Sequence, residues 1–271
     1  KLTRRGVTIG KLPRRGVTEI HLVLRRGTLE PSAGLRARSS ARKRPRLPDD
    51  IVVTPGSKPI LLYAALALLD KGDEALIPDP AYPIYDSVVR FAGAQPVTYR
   101  LDAASNFAPD IDAIAASITP RTRVLVLNSP QNPTGGVIDA GRLAALAQLA
   151  EANDLSVIVD EIYRPFNYGS SPVPSILTLP GMRERSILVD GFSKAYAMTG
   201  WRLGFGLIPT PLAPRFSLLA LNDHACVPAF VQRAGIAALE GTQEPLHAMI
   251  AEFAARRQII AERLAEIPGV R

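Results

Sequence analysis

The 271-residue chain is 47% hydrophobic and 21% charged, ordinary globular values that exclude a wholly disordered, collagen-like or membrane-embedded polypeptide. No apolar run reaches the ~18 residues of a spanning helix, no secretory signal is visible, and a single cysteine, Cys226, excludes an intrachain disulfide; with His21, His224 and His247 far apart no metal cluster is expected, and a reducing cytoplasm is the default location. The net charge of +7 belongs to one end: residues 1–50 hold 14 Lys/Arg and 4 Asp/Glu, whereas residues 51–271 hold 18 and 21, unlike a uniformly basic nucleic-acid binder.

Residues 1–50 read as an atypical, irregular segment. Arg-Arg-Gly-Val-Thr occurs at Arg4–Thr8 and Arg14–Thr18, Arg25–Thr28 echoes it, and Arg36–Arg46 is a dense basic run, all without helical or strand periodicity. A basic arm for nucleic acid and a solvated terminus both fit it, and nucleic acid is not the expected partner. From Ile51 the texture changes. In chain order the pattern predicts a strand Ile51–Thr54, a turn at Pro55-Gly56-Ser57, an apolar helix Lys58–Leu69, a strand Ala75–Ile77, a helix Pro83–Phe91, a strand Pro96–Leu101 and a helix Pro109–Ser117. A buried strand Arg123–Leu127, an amphipathic helix Asp139–Ala152, strands Leu155–Val159, Ser186–Val189 and Gly204–Ile208, and helices Leu212–Leu221, Phe230–Leu239 and Glu244–Glu266 follow. Strands alternating with helices predict an α/β fold with a mostly parallel sheet covered on both faces. Ligands bind such sheets beyond the carboxyl ends of the strands, so polar residues just after strands are the candidates.

Four clusters sit there. Thr54-Pro55-Gly56-Ser57-Lys58 joins a strand to a helix start, whose free N–H groups and positive dipole end suit an anion such as phosphate; an ordinary strand-to-helix turn is the plain alternative. Asn128–Gly136 packs two prolines, two glycines and two asparagines behind a buried strand, either a rigid loop or a loop presenting side-chain amides. Asp160-Glu161-Ile162-Tyr163 puts acids at the end of a buried strand, a costly place unless they meet a cation or cap a helix. Gly191–Gly204 carries one lysine, Lys194, and one arginine, Arg202, in an otherwise uncharged stretch. A lysine in apolar surroundings loses proton affinity and becomes a usable amine nucleophile, unless it snorkels to water.

Together these residues resemble the fold-type I pyridoxal-phosphate enzymes, the class I/II aminotransferases. The resemblance rests on Gly191–Gly204 as the lysine-attachment pattern, Asn-Pro-Thr-Gly at 132–135 and Asp-x-x-Tyr at 160–163, in order and spacing, and runs from about Ile51 to Arg271. It implies a seven-stranded sheet and pyridoxal 5′-phosphate as cofactor. It implies Lys194 as the residue that forms an imine with the cofactor aldehyde and then moves a proton. Asp160 would keep the pyridine nitrogen protonated, and Tyr163 and Asn132 would hydrogen-bond the ring's 3′ oxygen. Arg202, Ser193, Gly56, Ser57 and Lys58 would hold the phosphate, and Tyr82 would stack on the ring.

The implied reaction is amino transfer from an amino acid to a 2-oxo acid, in a cytoplasmic homodimer. The expected divisions are residues 1–50, a cofactor-binding domain over 51–240, and a long helix over 241–271 leading to a C-terminal small domain. Leu29 stands where the family carries a tyrosine that reaches the partner subunit's phosphate, and the arginine that grips the substrate carboxylate is not found before Arg271. Feeble transamination is therefore expected. A carbon–sulfur lyase shares every residue named and differs only in its products, pyruvate and ammonia. A non-catalytic regulatory domain of the same fold is the alternative from another class.

Overall fold

The computed structural model describes residues 50–169 and 171–270; the basic repeats and Leu29 lie outside them. Strand β1 (Ile51–Thr54) is followed by α1 (Lys58–Leu68), β2 (Glu74–Asp79), α2 (Ile84–Phe91), β3 (Gln95–Arg100), α3 (Ile111–Ala116), β4 (Thr122–Asn128), α4 (Ala140–Ala152) and β5 (Ser156–Asp160). Then come α5 (Met182–Arg185), β6 (Ser186–Gly191), α6 (Phe192–Ala195), β7 (Gly204–Leu207), α7 (Ala213–Asp223), α8 (Ala229–Glu240) and α9 (Glu244–Ala265). Each element expected from periodicity is present within about two residues at either end. The four-residue helices α5 and α6 were not expected, because one turn is too short to show a period.

The strands form one sheet in the order β1-β7-β6-β5-β4-β2-β3. The pairs among β2 to β6 are parallel, and β7 runs antiparallel to both β1 and β6. The expected α/β fold, with a mostly parallel seven-stranded sheet, is therefore observed.

Side chains alternate across the sheet, and each face buries its own cluster. On one face Leu125, Leu127, Val157, Val159 and Leu188 pack with Leu143, Leu146, Ala147 and Ala150 of α4, whose spacing of i, i+3, i+4 and i+7 makes one helix face. Asp139 caps that helix by accepting the Arg142 N–H at 2.8 Å. On the other face Val124, Val126, Ile158, Ile187 and Val189 meet Ile60, Tyr63 and Ala64 of α1, Tyr85 and Val88 of α2, and Phe216 of α7. A strand with apolar residues at both parities must be covered twice, which is why β4 and β5 are central. Arg123 departs from the expected buried run. It lies at the amino edge of the sheet, exposed, and pairs with Asp73 at 3.4 Å. Helix α9 has no buried residue.

The register brings the candidate clusters to one edge. Asn128 pairs with Asp160, Asp160 with Val189, Gly191 with Gly204, and Gly204 with Thr54. The ends of β4, β5, β6 and β1 therefore lie side by side around the start of β7.

Candidate active site

Above those strand ends is a cleft of about 290 Å³. Nine of the residues singled out from sequence line it: Ser57, Lys58, Tyr82, Asn132, Asp160, Tyr163, Ser193, Lys194 and Arg202. The tenth, Gly56, stands behind the Arg202 side chain.

The phosphate-like end is built from two segments 147 residues apart. Arg202 donates from Nη1 to the Thr199 carbonyl at 2.8 Å and from Nη2 to the Pro55 carbonyl at 3.4 Å. A Cβ at Gly56, whose φ is +82°, would overlap the guanidinium, so glycine makes the room in which Arg202 sits. Thr54 Oγ1 donates to the Gly56 carbonyl at 2.6 Å and holds the turn. Ser57 precedes α1 and lines the cleft with Lys58; in that first turn Pro59 has no N–H and the Ile60 N–H donates to the Ser57 carbonyl at 3.1 Å. Arg202 itself has φ +53° and Ala197 +52°, left-handed values for residues with a Cβ. Such strain persists only where surrounding contacts hold it, and it clusters at functional sites.

The opposite end is Asp160, 5% exposed at the close of β5. Its Oδ1 accepts the Ile162 N–H at 3.1 Å and its Oδ2 accepts the Tyr85 hydroxyl at 3.0 Å. Burial pushes its carboxyl up to about 6, opposed by the Ile162 N–H, the Tyr85 hydroxyl and the Lys194 charge. Lys194, on α6, lies with its Nζ 5.3 Å from the centre of the Tyr163 ring. On the far wall the Lys58 Nζ lies 5.7 Å from the centre of the Tyr82 ring, and Tyr82 meets Tyr85 edge-on at 6.0 Å.

Asn132 is held by a scaffold of amides. Asn128 Oδ1 accepts the Asn132 N–H at 2.8 Å, while Asn128 Nδ2 donates to the carbonyls of Asp160 at 3.0 Å and Pro130 at 3.2 Å. Gln131 bridges the Pro80 carbonyl, at 2.7 Å, to Thr134. The loop that sequence left open between plain rigidity and presentation is both.

Sequence reasoning did not single out Tyr85 or Asp190; it placed Asn128 and Glu161 in the candidate clusters without giving either a role. Tyr85 follows Tyr82 by three residues at the start of a helix, a spacing that puts both on one side and was a legible signal. Glu161, 2% exposed, has burial pushing it up to about 7, with Arg164 opposing. Asp190, whose Oδ1 accepts the Gly191 N–H at 2.7 Å, is pushed up to about 8, by burial first and then by Glu161 and Asp160. No group of acids, histidines and cysteine suited to a metal occurs among the described residues.

Comparison with known proteins gives one family. The model of the aminotransferase class I and II family matches residues 36–271. The chain is 39% identical to an aspartate aminotransferase of Musicola paradisiaca over 221 residues, 82% of this chain and 55% of that protein. It is 37% identical to an arginine–pyruvate transaminase of Pseudomonas aeruginosa over 223 residues, 82% of this chain and 56% of that protein. Among solved structures, an aromatic aminotransferase from Pyrococcus horikoshii OT3 superposes with a TM-score of 0.84 at 32% identity, covering 97% of this chain and 67% of the other. The chain thus spans little more than half the length of the curated relatives it matches.

Proposed function

The chain belongs to the class I and II aminotransferases, and from that membership we propose that it carries the cofactor site of an enzyme moving an amino group from an amino acid to a 2-oxo acid. Pyridoxal 5′-phosphate is the cofactor of that family. The residues fit such a group: an anion cradle of Arg202, Gly56 and the α1 start lies at one end of the cleft, and a buried carboxylate with both oxygens already oriented lies at the other. The single observation that carries the reading is Asp160, an acid that burial alone would neutralise, kept beside the Lys194 charge in the same cleft.

On this reading Arg202, Ser193, Ser57, Lys58 and the Gly56 backbone bind the phosphate. Asp160 would hold the proton on the ring nitrogen, Tyr163 and Asn132 would hydrogen-bond the ring oxygen, and Tyr82 would cover one ring face. When bound, the cofactor supplies a reactive aldehyde and a ring that accepts the electrons left by breaking the substrate Cα–H bond. Lys194 would hold the aldehyde end of the cofactor through its amine and would be the base that takes the substrate Cα proton on Nζ. Tyr163, under the Lys194 Nζ, limits where that amine can swing.

The cofactor-binding domain is assigned to residues 51–240, and helix α9 follows it. A homodimer and a cytoplasmic location belong to the same proposal and are supported by family membership. No helix among the described residues is long and apolar enough to cross a membrane.

The test is covalent. With added pyridoxal phosphate the protein is expected to absorb in the visible, and borohydride followed by peptide mapping is expected to label Lys194. Label on Lys58 or Lys71, the other lysines after residue 50, would overturn the assignment. Formation of a new amino acid from a 2-oxo acid separates amino transfer from the lyase reaction, which releases pyruvate and ammonia.

A further inference from the structure

We propose that Tyr85 is a positioning residue of this site, its hydroxyl orienting the Asp160 carboxylate while its ring packs against Tyr82, so that the start of α2 sets one end and one wall of the ring-binding space. The inference deepens the proposed function and rests on it for the role of Asp160.

Three observations carry it. Tyr85 is 1% exposed, so its hydroxyl is fixed by its surroundings, and that hydroxyl donates to Asp160 Oδ2 at 3.0 Å. Asp160 has one donor on each oxygen, Ile162 N–H on Oδ1 and Tyr85 on Oδ2. The first comes from its own loop and the second from residue 85 across the sheet, so only Tyr85 ties the carboxylate to another element. Finally, Tyr82 and Tyr85 meet at 6.0 Å with their planes at 90°, and the Tyr85 N–H donates to the Tyr82 carbonyl at 3.2 Å. Moving either tyrosine therefore moves the other.

The chemistry runs one way. The phenol keeps its proton, because burial and the Asp160 charge raise its pKa well above the ordinary tyrosine value. It is then a fixed donor, and a fixed donor favours the carboxylate anion over the acid. The other charges facing Asp160 are Lys194, which favours the anion, and the acids Glu161 and Asp190, which oppose it; Arg164 acts on both of those acids. The buried hydroxyls of Tyr85 and Tyr99 differ in target, since Tyr99 donates to the Val126 carbonyl at 2.7 Å and not to Asp160. Tyr99 is therefore the control for losing a buried hydroxyl without losing the orientation.

The experiment is a carboxyl-¹³C aspartate NMR titration of the full 271-residue chain without cofactor, in the parent, Tyr85→Phe and Tyr99→Phe, with Asp160→Asn to assign the resonance. In Tyr85→Phe the Asp160 midpoint is expected to rise by about one pH unit, the scale of one charge-assisted hydrogen bond. In Tyr99→Phe it is expected to stay where it is in the parent. An unmoved midpoint in Tyr85→Phe, or an equal rise in both variants, overturns the proposal. A second readout uses added pyridoxal phosphate. Tyr85→Phe is expected to shift the pH dependence of the visible absorbance and to lower kcat at least tenfold with the amino-acid KM little changed. If the NMR midpoint moves but the loaded spectrum and rate are the same in parent, Tyr85→Phe and Asp160→Asn, the orientation stands and the assigned role of Asp160 fails.

Discussion

Arg202 and Gly56 share a contact that admits no side chain, and it makes the phosphate assignment testable at one atom. In Gly56→Ala the new Cβ would overlap the guanidinium, and the φ of +82° strains any residue but glycine. The arginine must then leave its acceptors at Thr199 and Pro55. Pyridoxal phosphate affinity is expected to fall at least about tenfold, the cost of a lost charged hydrogen bond, with the far-ultraviolet circular dichroism unchanged. A cofactor titration that matched the parent would remove Arg202 from the phosphate site. Arg202 itself and Ala197 in the same segment accept left-handed backbone despite their Cβ atoms. The strain is of the kind that packed loops hold in place around ligands.

Strand β7 is the element that assembles the site. Its first residue, Gly204, pairs with Gly191 on one side and Thr54 on the other, so it fastens the start of the Lys194 segment to the anion turn. The two backbones touch there: a Cβ on Gly204 would fall on the Gly56 carbonyl carbon and the Ser57 nitrogen, backbone atoms that cannot rotate away. Gly204→Ala is expected to destabilise the fold by about 1–3 kcal/mol or more, in the manner of overpacking, and to weaken cofactor binding as well. The urea midpoint measures the first and the absorbance titration the second. A variant as stable as the parent would show that β1 can slide without cost. The neighbouring α6 is a four-residue turn, buried through Phe192 and Ala195, with Phe192 against Tyr196 and Phe205. It presents Lys194 from a packed base instead of a free loop.

Across the whole molecule three acids near the site set the response to pH. Loss of solvation pushes Asp160, Glu161 and the part-buried Asp190 up to about 6, 7 and 8 in the fold, against values near 4 when unfolded. Between those values the folded state binds more protons than the unfolded chain, so stability falls as pH rises from about 4 to about 8. Glu74, Asp139 and Asp223 are shifted down by their hydrogen bonds and ion pairs, and the stability they add is lost only as pH falls below about 4. Without cofactor, unfolding by urea is expected to need more denaturant at pH 5.5 than at pH 8. Asp190→Asn is expected to flatten the difference. A rising or level profile between those values would show that the three acids are solvated.

Local order was legible in the sequence. Strand and helix alternate because side-chain period and turn chemistry are local, and α4 shows its buried face in its own spacing. The order and spacing of Asp160, Tyr163, Lys194 and Arg202 likewise pointed to residues that line one cleft, since residues just past the strands of such a sheet converge. Strand order and direction were not legible. The bond from Tyr85 to Asp160 joins residues 75 positions apart and the bond from Arg202 to Pro55 residues 147 apart, while β7 lies reversed between β6 and β1. Such contacts depend on which strands become neighbours, a property of the assembled sheet and not of any segment. The same holds for the three raised acids: burial sets their protonation, and burial exists only once both faces of the sheet are covered.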